Sequence, residues 1–173
     1  MIAGHIVTPE AIGLIEQTYT SDKPGVRYAG MRALRTSMRI LSLQRTASLQ
    51  TAEISRQIKA AGELLRNDSD PFVAEGAARA LVQAAKLTDS KLTSAADAAF
   101  VDLAQGASSR IAGIDAMPEE KRAGVVRIAM LSTFELGRLL QSGPRKPGQA
   151  AVRDAAGLAG DRRDPVRQSA GQP

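Results

Sequence analysis

Apolar residues along this chain recur at spacings of three and four, and short polar segments carrying proline divide the runs they form. That periodicity is the mark of helices that bury one face. Thr8-Pro9-Glu10 opens the first helix. Thr8 is placed to cap it, and Pro9 takes the first helical position, where a missing N–H costs nothing. Ile12 and Ile15 supply an apolar face up to about Tyr19. After the turn Thr20-Ser-Asp-Lys23, Pro24 starts a second helix that ends near Leu43, with Val26, Gly30, Ala33, Leu34, Ser37, Met38 and Leu41 as its inward line. A polar link from Gln44 to Gln50 leads to a third helix over about 51–66, carrying Ile54, Ile58, Ala61, Leu64 and Leu65. Asn67-Asp-Ser-Asp70 makes the next turn; Asp70 caps a fourth helix that begins at Pro71 and buries Val73, Ala77, Ala80, Leu81 and Ala84. A fifth helix, about 93–112, uses Ala96, Ala99, Leu103 and Ile111, and Gly106 with Ser108-Ser109 weakens its middle. A sixth runs from Pro118 to roughly Gln141 on Val125, Ile128, Ala129, Ser132, Leu136 and Leu139.

The helix starts keep a period. Pro24, Pro71, Pro118 and Pro165 stand 47 residues apart, and each is followed, after four residues, by a pair of small ones: Ala29-Gly30, Gly76-Ala77, Ala123-Gly124 and Ala170-Gly171. A fixed period of this length marks stacked helical units, each too small to bury its own apolar face. Small residues at a helix crossing let the backbones approach. Ser142-Gly-Pro-Arg-Lys-Pro-Gly148 is a clear break. Beyond it, Ala150 to Ala159 can form another helix, and Asp164-Pro165 repeats the turn. The chain therefore divides into a helical-repeat domain over 1–141 and a Pro/Gly/Arg-rich link with a partial fourth unit over 142–173. The latter reads either as a frayed final cap or as a disordered tail.

The stretch Glu63-Leu-Leu-Arg-Asn-Asp-Ser-Asp-Pro-Phe-Val-Ala-Glu-Gly-Ala-Ala-Arg-Ala-Leu81 resembles a HEAT-type repeat: a Leu-rich helix end, an Asp/Pro turn, and a second helix continuing through Ala and Ala-Leu. Val26-Arg27 with Ala33-Leu34, and Asp164-Pro-Val-Arg167, fit the same pattern. The third unit departs from it, since Pro118-Glu-Glu-Lys-Arg-Ala-Gly lacks both the Val-Arg pair and an Asp before the proline. The resemblance covers roughly residues 8–141 and implies an all-α, HEAT-like α-solenoid of antiparallel helix pairs, about 3.5 units long, whose second helices line a concave face. An irregular helical bundle is the alternative. The motif carries a fold and not a function.

Composition agrees with the all-α reading. The chain of 173 residues has no Trp, two Tyr and three Phe, so Ala, Leu, Ile, Val and Met must fill the core, and runs of alternating β-branched residues are missing. It has no cysteine, which excludes a disulfide framework and thiolate chemistry. The start Met1-Ile-Ala-Gly-His-Ile-Val7 lacks a basic region and a long apolar run, and no stretch approaches the length of a membrane span. The expectation is a cytoplasmic protein, although a non-classical secretion signal would escape this reasoning.

Nothing in the sequence supports catalysis. His5, the only histidine, lies in a lead-in without capping or periodic context. There is no Gly-rich phosphate loop, no Gly-x-Ser-x-Gly elbow and no carboxylate cluster at metal spacing. Glu119-Glu120 suits the first turn of a helix by its dipole, and Asp68 and Asp70 read as turn and cap residues. No cofactor or metal is expected.

The informative feature is basic. Between Lys23 and Ala52 stand Lys23, Arg27, Arg32, Arg35, Arg39 and Arg45 with no acid, within a chain of formal charge +5. Arg32, Arg35 and Arg39 share one helical face. In the 47-residue register Arg32 aligns with Arg79 and Arg39 with Lys86, while Arg127 falls one place off the next rung. By the resemblance, these cations would form a ladder on the second helices, suited to an acidic protein or peptide segment. Nucleic-acid backbone binding by the same ladder is the alternative; the scarcity of aromatic stacking platforms disfavours single strands. Two further readings remain: a subunit of a larger assembly whose last repeat a partner completes, and a merely solvated basic face.

Overall fold

A computed structural model describes residues 7–43 and 50–142, of Ser142 the backbone only. The proposed fourth unit and the 142–173 boundary lie outside the described residues. Within them the chain is all-helical, without strands, and six helices pack against one another: α1 (Pro9–Glu16), α2 (Pro24–Leu43), α3 (Thr51–Asn67), α4 (Pro71–Ala84), α5 (Thr93–Ala112) and α6 (Glu119–Ser142). Single 3₁₀ turns at Ser90–Leu92 and Ile114–Ala116 lead into the last two.

The polar punctuation sets these boundaries. Thr8 Oγ1 accepts from the Ala11 N–H at 3.3 Å and Pro9 opens α1, which stops at Glu16, short of the expected Tyr19. At α3 the Gln50 N–H donates to Glu53 Oε2 at 3.0 Å, and at α4 Asp70 Oδ1 accepts from Phe72 N at 2.9 Å and Val73 N at 3.1 Å. Such caps satisfy donors that the helix itself cannot.

Packing follows the order of the chain. Neighbours α1–α2, α3–α4, α4–α5 and α5–α6 touch; in addition α2 lies along α4, α4 meets α6, and α3 lies along α5. Helix α4 is therefore surrounded by α2, α3, α5 and α6, and its composition allows it. Val73, Ala74, Ala77, Ala78, Ala80, Leu81, Val82 and Ala84 are all buried. Its exposed or half-buried positions reduce to Pro71 and a narrow line through Phe72, Glu75, Arg79 and Gln83. Alanine makes such close neighbours possible on several sides at once. At Gly76 a Cβ would stand 3.1 Å from Met31 Cβ on α2, and at Gly106 within 2.5 Å of Leu65 Cγ on α3. The second contact also explains why α5 runs unbroken through Gly106, Ser108 and Ser109: that segment is held against α3. Larger side chains fill the rest, among them Ile12, Ile15, Met38, Ile54, Ile58, Phe100 and Leu103, each contributing roughly 1.5–3 kcal/mol by burial.

Two inward positions differ from the sequence reading. Val26 is exposed; the inward line of α2 runs through Arg27, Met31, Leu34, Met38 and Leu41, because Arg27 turns toward an acid in the α3–α4 turn. Ile111 is half exposed, because Arg110 takes the inward place beside it. Leu64 and Leu136 lie at the edge of the core and are half-buried.

Candidate functional site

The turn Asp68-Ser-Asp70 holds the helices in their places. Asp68 terminates α3, and its side chain is almost wholly buried. Arg27 from α2 donates to both oxygens, Nε to Oδ2 at 2.7 Å and Nη2 to Oδ1 at 3.0 Å, and the Asp70 N–H adds a third bond at 2.9 Å. Arg27 Nη1 also reaches Ser21 O at 2.7 Å. From α5, Arg110 Nε donates to Leu65 O and Nη2 to Asp68 O at 2.6 Å, so one guanidinium caps the C-terminus of α3. Burial pushes the Asp68 carboxyl up, but the hydrogen bonds from Arg27 and Asp70 and the charges of Arg27 and Arg110 together hold it below the usual aspartate value. The hydrogen bond to Asp68 raises Arg27, whereas burial lowers Arg110. A separate polar link joins α1 to α3: Tyr19 Oη donates to Gln57 Oε1 at 2.5 Å, and Gln57 Nε2 donates to Glu16 Oε2 at 3.2 Å.

With its buried polar groups engaged in this way, the turn leaves the cations of the outer face as the candidate contact surface. Arg32, Arg35 and Arg39 are all exposed on one stripe of α2 and form no ion pair with the described residues. The Arg32 guanidinium lies over the Tyr28 ring, 6.0 Å from its centre. Arg27, counted with them by sequence, is withdrawn by its bond to Asp68. Just past the end of α4, Lys86 is exposed and likewise forms no ion pair among the described residues. Arg79 differs, because its Nη2 contacts Glu75 Oε1 at 2.9 Å. Arg127 on α6 reaches the other oxygen of the same Glu75 at 3.0 Å and covers the Phe72 ring at 5.5 Å. The cations of the register thus fall into two kinds. Those of α2 and Lys86 are exposed and unpaired among the described residues, while Arg79 and Arg127 share one carboxylate, and Arg127 thereby bridges α6 to α4.

The sequence contained a signal for Glu75, four residues before Arg79 on one helix face. It contained none for the approach of Arg127, which depends on how α6 crosses α4. Such a surface can attract anionic groups by field and by guanidinium hydrogen bonds, and the half-exposed Tyr28 offers an aromatic edge beside them.

Among the described residues no helix is long and apolar enough to cross a membrane, and no group of three or more His, Cys, Asp or Glu side chains is placed to hold a metal ion. No family model, curated protein or solved structure matches this chain.

Proposed function

We propose that the protein is a non-catalytic, HEAT-like helical-repeat module that binds an acidic protein or peptide segment across the outward stripe of α2 and α4. The observation that carries this reading is the exposed line Arg32, Arg35 and Arg39, unpaired among the described residues and flanked by Tyr28. The repeat interpretation draws support from the packing order, in which α2, α4 and α6 adjoin in series while α3 adjoins α5. It also draws support from the small-residue pairs: Gly76 lies against α2, and Gly124 lies 3.2 Å, by the position of a Cβ, from Pro71 of α4. Arg32 and Arg39 contribute most, with Lys86 extending the stripe; Arg79 and Arg127 contribute less, since an anion must compete with Glu75 for them.

The test is fluorescence anisotropy with a Glu/Asp-rich peptide and, in parallel, a DNA duplex. The combined variant Arg32→Glu, Arg35→Glu, Arg39→Glu should keep its helical circular dichroism and lose at least about 10-fold in peptide affinity. Tighter binding of the duplex, with affinity falling steeply as salt rises, would favour the nucleic-acid alternative. Binding of neither probe by the unaltered protein would refute the proposal.

A second reading, that the chain belongs to a larger assembly, is favoured by one observation. Val126, Met130 and Phe134 recur every fourth residue along α6 and are exposed, the last two by about two thirds, at 68% and 66%. Light scattering after size exclusion, with Met130→Glu as the comparison, separates an associating face from a monomer.

A further inference from the structure

Between the α3–α4 turn and the first turns of α6 lies a cavity of about 660 Å3, within the range of small-molecule sites, about 300–1,000 Å3. Pro71, Met117 and Val125 form its apolar wall, and Arg110, Asp68 and Lys121 are among its charged groups. Arg110 is the unusual member. It is only 7% exposed, and it forms no ion pair with the described residues. Its Nε and Nη2 are accounted for by the carbonyls of α3, but Nη1 makes no hydrogen bond with the described residues. Capping therefore explains two of its three nitrogens; Nη1 is not sealed from solvent, and the Asp68 charge acts on the guanidinium without pairing with it.

A largely buried guanidinium that keeps one open N–H edge favours an anion able to meet that edge. Neither carboxylate of the wall forms an ion pair with it, although the Asp68 charge acts on it from nearby. Both oxygens of Asp68 are engaged by Arg27 and the Asp70 N–H. Glu120, also on the wall, is exposed at the start of α6. The other two arginines of the wall are already paired, Arg66 with Asp102 at 2.6 Å and Arg127 with Glu75 at 3.0 Å. Lys121 is exposed and forms no ion pair with the described residues. Two cations thus remain beside an apolar wall.

We propose that this cavity binds a small organic monoanion, a carboxylate on a compact apolar body. Arg110 Nη1 and Lys121 hold the carboxylate, and Pro71, Met117 and Val125 enclose the body. A planar carboxylate suits a guanidinium edge, and an apolar body uses a wall that a bare inorganic anion would leave unfilled. A more highly charged anion would in addition be repelled by Asp68 and Glu120.

The experiment is a titration of the full-length, ¹⁵N-labelled protein followed by amide and arginine side-chain shifts. Benzoate is the probe; benzyl alcohol supplies the ring without the charge, and inorganic phosphate the charge without the ring. Benzoate should give saturable shifts at the 66–71 turn and at 117–125, with each control at least about 10-fold weaker. Lys121→Glu should weaken benzoate by about 10-fold, and Arg110→Met should abolish its binding. Should Arg110→Met fail to fold, Lys121→Glu decides the matter, because Lys121 is exposed and takes no part in the packing. The proposal is overturned by any of four results: no saturable shift up to about 10 mM; equal binding of benzyl alcohol; shifts confined to the Arg32–Arg39 stripe; or unchanged affinity in Lys121→Glu.

Discussion

Replacing Asp68 with alanine should destabilise the protein by about 3 kcal/mol, and the loss should fade in acid. The magnitude follows from what the carboxylate holds. It accepts two bonds from Arg27, at 2.7 and 3.0 Å, and one from the Asp70 N–H at 2.9 Å, with a side chain only 3% exposed. Removing one partner of a buried ion pair costs roughly 3–5 kcal/mol, because the other charge stays behind uncompensated. The low end applies here, since Arg27 keeps its bond to Ser21 O. The assay is urea unfolding followed by circular dichroism. With a slope of about 2 kcal/mol per M, a cost of this size lowers the midpoint by roughly 1.5 M.

The sign of the pH dependence is fixed by the lowered native pKa of Asp68. Its stabilisation is complete above the unfolded aspartate pKa of about 3.9 and is lost as pH falls through the lower native value. The gap between wild type and Asp68→Ala should therefore be full near neutrality and shrink below about pH 4. A cost under about 1 kcal/mol near neutrality would refute the reasoning, as would a gap that stays constant into acid.

Further substitutions at two places, Gly106 and Tyr19, probe different parts of the fold. Gly106→Ala would place a methyl within 2.5 Å of Leu65 Cγ and should cost about 1–2 kcal/mol in the same unfolding assay, after a helix-propensity gain of about 1; Gly13→Ala, with nothing within 4 Å, should instead be neutral or stabilising. Burial, reinforced by the charge of Glu16, pushes the Tyr19 phenol far above its usual value. In a Tyr28→Phe background an ultraviolet titration should accordingly show no phenolate until alkaline unfolding. The associated stability is present below the unfolded pKa of about 10 and is lost as pH rises above it. Tyr19→Phe should cost roughly 1–2 kcal/mol by orphaning Gln57 Oε1, and a normal titration of Tyr19 would contradict its burial.

Much of the architecture could be read without coordinates. Six helices, the capped proline starts of α1 and α4 and the core lines of α3, α4 and α6 were legible, because helix caps act within a few residues and amphipathic spacing repeats within one turn. The expectations for Val26 and Ile111 failed for one shared reason. In each case an adjacent arginine turned inward to a polar group some 40 residues away, Arg27 to Asp68 and Arg110 to Leu65 O and Asp68 O. Hydropathy alone places arginine outside, and only the meeting of α2 and α5 at one turn reverses that.

The same division holds for the candidate site. By itself the sequence determined that Arg32, Arg35 and Arg39 share a helical face, because i, i+3 and i+7 positions coincide whatever surrounds the helix. It also showed the 47-residue spacing in which Arg32 aligns with Arg79 and Arg39 with Lys86 along the sequence. Tertiary structure decided which of these charges are uncommitted. Glu75 takes up both Arg79 and Arg127, Asp68 takes up Arg27, and Arg110 is left buried with one nitrogen unpaired among the described residues. Those outcomes depend on which helices cross and at what distance, and charge pairing over a few ångströms cannot be inferred from positions tens of residues apart in the chain.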